Sequence, residues 1–209
     1  MSRVFVPGFG ALPSFYRDAL TPEWEVHDPP SFRRASSFEA RLAALRGTLE
    51  RYGSPITLAG HSMGAALAVS VALEQPDRIE RLLLVAPAGL PLTKPVAASL
   101  RDFFGQAARR AYPSRDLGRA LRDAVGSPRA TWRLARAVRA LDLREQLQLV
   151  RRRGIPVDVV ACVGDTLTPV EHCRQIARLS GGRYREIDAA GGHMWMLVEP
   201  TAFATLLLD

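Results

Sequence analysis

The sequence predicts an α/β fold: a mainly parallel central sheet of about six strands with helices on both faces and an inserted helical cap. Two observations carry the sheet and a third carries the cap. Short apolar runs alternate with segments of helical period along most of the chain, the pattern of a parallel sheet with crossover helices. One of those runs, Val157 to Val163, reads as a strand buried on both faces, as strands of a parallel sheet are. From Pro95 to Arg153 the alternation stops and only helical periods remain.

Taken in order, Val4-Phe5-Val6 is a strand stopped by Pro7-Gly8-Phe9-Gly10, and Trp24 to His27 is another, stopped by Asp28-Pro29-Pro30. Glu39 to Tyr52 carries Leu42, Leu45 and Leu49 at helical spacing and ends at Gly53. Ile56 to Ala59 is a strand leading through Gly60-His61-Ser62-Met63-Gly64 into a helix of small residues, Ala65 to Leu73, and Arg81 to Ala86 is the next strand. After Val157 to Val163 come a helix over Val170 to Leu179, a short strand over Tyr184 to Ile187 and a closing helix over Thr201 to Leu207. Asp142 is expected to cap a helix, with Glu145 as its capping-box partner.

With 209 residues and 47% hydrophobic side chains, the chain is one globular domain of ordinary size. Its core comprises 1–90 and 154–209, with 91–153 as the cap. The apolar runs are too short to span a bilayer, and the opening residues break at Pro7 before a secretory h-region forms, so a cytoplasmic location is expected. Cys162 and Cys173, without framework spacing, are expected to be reduced thiols.

The net charge of +7 comes almost wholly from arginine, Lys94 being the single lysine. Between Ala97 and Arg153 fourteen arginines face five acids, so the positive charge belongs to the cap. Leu134, Val138 and Leu141 form an apolar stripe there while Arg129, Arg133 and Arg136 share another side, and Arg115, Arg119 and Arg122 repeat the arrangement one helix earlier. Such a surface suits an anionic substrate or an acidic carrier protein, and equally a solvated helical face. Nucleic acid is not an expected partner: that reading requires binding that weakens steeply with salt.

Gly60-His61-Ser62-Met63-Gly64 is a G-x-S-x-G pattern with a strand before it and a helix after it, the context in which a serine is held in a sharp turn over a helix N-terminus. A serine hydroxyl needs a base, and the base needs an orienting acid. Of four histidines, His61 lies inside the elbow and reads as structural, His27 ends a strand, and His172 sits on a helix, where a surface position is expected. His193 follows Gly191-Gly192 in a loop after the last strand and is the candidate base. Asp165 directly follows the buried strand, in a turn fixed by Gly164 and Pro169, and is the candidate acid; Asp188 is its rival.

With Gly164-Asp165-Thr166-Leu167-Thr168-Pro169 and Gly191-Gly192-His193-Met194 completing the set in the order Ser62, Asp165, His193, the chain resembles a compact α/β-hydrolase-fold protein over nearly its whole length. The resemblance implies that the backbone N–H groups of Phe9 and Met63 form an oxyanion hole. Two departures from the family pattern stand out: Pro7 replaces the usual histidine of the oxyanion loop, and the sequence begins at what corresponds to the family's third strand.

The implied chemistry is hydrolysis of a carboxylic ester through an acyl-enzyme, with a thioester or a carbon–carbon bond as alternative targets of the same triad. A binding protein that keeps the fold without turnover is a further alternative. Phe9, Leu12, Phe32, Met63, Leu90, Trp132 and Trp195 are expected to line an apolar substrate pocket for an acyl or aryl group. Neither metal-ligand spacing nor a nucleotide-binding glycine pattern is present in the sequence, and no metal or cofactor is expected.

Overall fold

The computed structural model describes residues 2–53, 55–109 and 114–208, with the side chains of all of these except 103, 104, 106–109, 114–117 and 208. Six strands form one sheet: β1 (Ser2–Val6), β2 (Trp24–Val26), β3 (Ile56–His61), β4 (Ile79–Val85), β5 (Val157–Cys162) and β6 (Arg183–Ile187). Their order is β2-β1-β3-β4-β5-β6, and every neighbouring pair is parallel. The strand order reverses at β1 and β3, which puts the ends of those two strands at a topological switch point, where open α/β sheets hold ligands.

The sheet is apolar on both faces, with the two-residue period of a strand. Val4, Val6, Leu58, Leu82, Leu84, Val159 and Ala161 face one core, shared with α1 (Phe38–Leu49), α2 (Met63–Glu74) and α7 (Val170–Ser180). Phe5, Ala59, Leu83, Val85, Val160 and Cys162 face the other, shared with Tyr16, Trp195 and the closing helix α8 (Pro200–Leu208) through Phe203 and Leu207. Leu45 and Leu49 of α1 are fully buried and Leu42 is packed against the same core, as the helical spacing requires. Both cysteines are buried and unpaired. On β5 the buried Asp158 accepts hydrogen bonds from Arg81 Nε of β4 at 2.7 Å and Arg183 Nε of β6 at 2.6 Å, an ion-pair network crossing three strands.

Between β4 and β5 lie four helices, α3 (Val96–Arg109), α4 (Ser114–Gly126), α5 (Pro128–Ala140) and α6 (Arg144–Arg152). On α5, Thr131, Leu134, Ala135 and Val138 are buried while Arg129, Arg133 and Arg136 are exposed. Arg119 and Arg122 of α4 are exposed too; the side chain of Arg115 lies outside the described residues. The four helices do not form one cover. Helices α3 and α4 each pack on α5, whereas α6 packs on α2 and α7 and so belongs to the layer beside the sheet. The expected capping box is corrected: α6 begins one residue later, at an N-cap Leu143 that makes no side-chain bond, and Asp142 accepts from the Arg144 backbone N–H at 3.3 Å instead of pairing with Glu145. Among the described residues, no helix is long and apolar enough to cross a membrane.

Candidate active site

Ser62 stands between the end of β3 and the first residue of α2, with φ 54° and ψ −117°. A non-glycine residue at positive φ is strained by about 1–3 kcal/mol, and it persists only where the surroundings enforce it. Here they do. The Ser62 N–H donates to Val85 O at 3.0 Å, and the Ser62 carbonyl accepts from Ala65 and Ala88 N–H groups at 3.1 Å each. The flanking glycines make the turn possible by close approach: a Cβ on Gly64 would lie 2.1 Å from Val6 O, and one on Gly60 would lie 2.5 Å from the carbonyl of Gly64. Gly8 of the loop after β1 is equally confined, since a Cβ there would sit 2.9 Å from His61 Nδ1 and 3.3 Å from Ser62 Cβ. That contact places the loop carrying Phe9 directly against the serine.

Asp165 and His193 come together from the loops after β5 and β6. His193 Nδ1 lies 2.8 Å from Asp165 Oδ2, with both side chains buried. Asp188, the rival, is exposed at the end of β6. Burial, the largest single influence, would raise the Asp165 carboxyl, but the charge and hydrogen bond of the adjacent His193 outweigh it together with the Thr168 and Leu167 N–H groups, which donate to Oδ1 at 3.0 and 2.7 Å. The carboxyl is thereby held below its ordinary range, ionised, as a partner of an imidazole N–H must be.

Thr168 and Tyr16 escaped the sequence reading. The Thr168 hydroxyl lies 2.8 Å from Asp165 Oδ2, 3.1 Å from Ala86 O and 3.3 Å from His193 Nδ1, so it pins the acid to the end of β4. The signal was an Asp-x-x-Thr spacing before Pro169, in which the carboxylate caps the N–H groups two and three residues further on. His61 is structural, as expected, and its partners define how: Nδ1 meets Tyr16 OH at 3.0 Å and Nε2 meets the His193 carbonyl at 3.0 Å. Burial drives the His61 imidazole down to about 3, so it stays neutral, with one nitrogen donating and one accepting.

Ser62, Thr168 and His193 line one cavity of about 70 Å³, closed by Phe9, Ala88, Leu92, Leu100, Ala135, Val138 and Arg139, among others. Phe9 is the one residue of the expected substrate pocket found on this wall. Met63 is buried beneath it at the start of α2, and Leu90 is buried beside a separate cleft near Leu92 and His172. Leu12 and Phe32 face another cavity. Trp132 is half-exposed on α5, and Trp195 is fully buried on the opposite core against Phe203, ring centroids 5.5 Å apart. The other walls of the cavity beside Ser62 come mainly from α3, α5 and the β4–α3 connection. His172, expected at the surface, is only partly exposed, with its Nε2 buried.

A serine in a strained strand-to-helix turn, with a buried Asp–His pair arriving from the last two strands of a parallel sheet, defines the site architecture of the α/β hydrolases. The chain belongs to the Alpha/beta hydrolase family, which it matches over residues 4–206, and has that fold. A protein of Mycobacterium phage D29 named as a non-heme haloperoxidase is 28% identical over 172 residues, covering 71% of this chain and 60% of that protein. An esterase from Exiguobacterium antarcticum superposes with a TM-score of 0.78 at 17% identity, covering 100% of this chain and 91% of the other. A hydrolase from Pseudomonas aeruginosa PA01 gives a TM-score of 0.74 at 23% identity, covering 99% and 88%. The matched stretch spans little more than half the length of the curated relatives.

Proposed function

We propose that the protein hydrolyses a carboxylic ester through an acyl-enzyme on Ser62. The observation that carries this reading is the convergence of Ser62 and His193 on one cavity, with Asp165 2.8 Å behind the imidazole. In the first half-reaction Ser62 Oγ bonds to the acyl carbon while its proton passes to His193 Nε2. Asp165 holds Nδ1–H and stabilises the imidazolium. The carbonyl oxygen becomes an anion, held by the backbone N–H groups of Phe9 and Met63, each worth about 3 kcal/mol. The tetrahedral centre collapses, the bond to the alcohol oxygen breaks, and His193 returns the proton to it. Water then repeats the sequence on the acyl-serine and frees the acid.

The cavity suits a short, apolar acyl group. Its volume of about 70 Å³ is lined by aliphatic and aromatic side chains, and the guanidinium of its one arginine, Arg139, is bonded to Leu92 O at 2.7 Å. A short p-nitrophenyl ester is expected to be turned over faster than a long one. The test is labelling with a fluorophosphonate and location of the adduct by mass spectrometry, alongside turnover of matched esters, thioesters and 1,3-diketones. An adduct on Ser62 with ester turnover supports the reading. Turnover of thioester or diketone alone transfers it to those substrates, and a folded protein with neither adduct nor turnover leaves a binding protein.

A further inference from the structure

A second cavity, of about 1030 Å³, opens among the loop after β1, the segment after β2, and helices α1 and α4. Arg33, Arg34, Arg41 and Arg119 line it against two carboxylates, Asp28 and Asp123. Arg33, Arg34 and Arg119 are exposed at its mouth, but Arg41, from the first turn of α1, is only 3% exposed. Its guanidinium carbon sits 5.1 Å over the Phe32 ring. Among the described residues, Arg41 Nε is a buried donor without a hydrogen-bond partner. Asp123 acts on it through charge, while its Oδ2 accepts the Phe32 N–H at 2.9 Å.

A buried cation is normally paired and hydrogen-bonded, because removing it from water is costly. Arg41 has its hydrophobic support and a nearby charge but, among the described residues, no oxygen on its buried Nε, and it borders a space large enough to supply one. A planar guanidinium with open N–H groups fits the two oxygens of a carboxylate or phosphate. We propose that this cavity is an oxyanion-binding site in which Arg41 is the central donor and Arg33, Arg34 and Arg119 attract the ligand at the mouth. The site abuts the proposed catalytic cleft: Phe9 lines the cleft, Phe32 lines this cavity, and their ring centroids are 5.0 Å apart. The oxyanion comes either from the acidic far end of an ester, which rests on the esterase reading, or from a free anion bound beside the cleft, which does not.

Calorimetric titration of the whole protein with inorganic phosphate and with succinate at constant ionic strength tests the site. One saturable event is expected, lost in Arg41→Met. Because Arg41 is buried, the exposed Arg119→Ala is titrated in parallel, with its fold checked by near-UV circular dichroism. It is expected to weaken binding by up to about tenfold, the scale of one partly screened charge at the mouth. Absence of saturable binding to wild type, or binding indifferent to both substitutions, overturns the site even if esters are hydrolysed. Loss of ester turnover alone overturns only the esterase reading. Phosphate that competes with a monomethyl dicarboxylate but not with its neutral homologue assigns the site to the substrate's acidic end; phosphate that binds without competing assigns it to a free anion.

Discussion

Ser62 is held at φ 54°, a conformation that glycine adopts at no steric cost, so the nucleophile and the backbone strain are separable by mutation. Ser62→Ala and Ser62→Gly are both expected to lower ester turnover by several orders of magnitude. They diverge in stability: the glycine variant is expected to unfold at a higher temperature than the alanine variant, by a margin near 1 kcal/mol. Equal melting temperatures would show that the turn is not strained. Thr168→Val keeps shape and removes the hydroxyl shared by Asp165, Ala86 and His193. Its expected effect is a fall of about tenfold to a hundredfold in kcat with little change in KM, and unaltered kcat would deny Thr168 a positioning role. At this scale the sequence was most informative where residues must be of one kind. Ser62, Asp165 and His193 could be singled out because each has a glycine within two residues, in a turn or loop that follows a strand. Thr168, Tyr16 and Arg41 were not, since a hydroxyl or a guanidinium has many uses and only the folded neighbours select one.

At the scale of elements, the β3–α2 junction tolerates no added atom at Gly64, where a Cβ would lie 2.1 Å from Val6 O. Gly64→Ala is expected to destabilise the fold by several kcal/mol, detectable as loss of cooperative urea unfolding. Gly47→Ala provides the contrast, because nothing lies within 4 Å of a Cβ at that position on α1. Helix propensity then favours alanine by about 1 kcal/mol, and a rise in the unfolding midpoint is expected. Strands and helices were readable because their periods are local. Which layer a helix joins is not local: the arginine-rich α6 resembles the cap in composition, yet Leu147 and Val150 bury it in the main core, and only contact with α2 and α7 reveals it. Trp195 shows the same limit, since an aromatic beside the candidate base fits a pocket and an opposite core equally well.

For the whole molecule, acid is the expected weakness. Burial lowers His27 from 6.5 to about 4, and His61 further, to about 3. Below 6.5 the unfolded chain therefore binds protons that the folded chain refuses. The stability they contribute is present above 6.5 and drains as pH falls toward 4, by on the order of 3 kcal/mol for His27 alone. Urea midpoints measured across that window should fall with pH, and His27→Asn should flatten the slope; an unchanged slope would remove His27 from the account. The exposed arginines of α4 and α5 give the molecule a cationic side. For an anionic ester, kcat/KM is expected to drop with rising ionic strength while that for a neutral ester holds.

His61 grips Tyr16 with one nitrogen and the backbone of His193 with the other, the second contact closing a separation of 132 residues. A chain emerging from the ribosome thus exposes its candidate nucleophile long before the imidazole that would activate it exists. On the proposed mechanism, the serine has no base until residue 193 is synthesised and seated. The same mechanism makes reactivity a property of the completed fold, which no fragment ending short of residue 193 would possess.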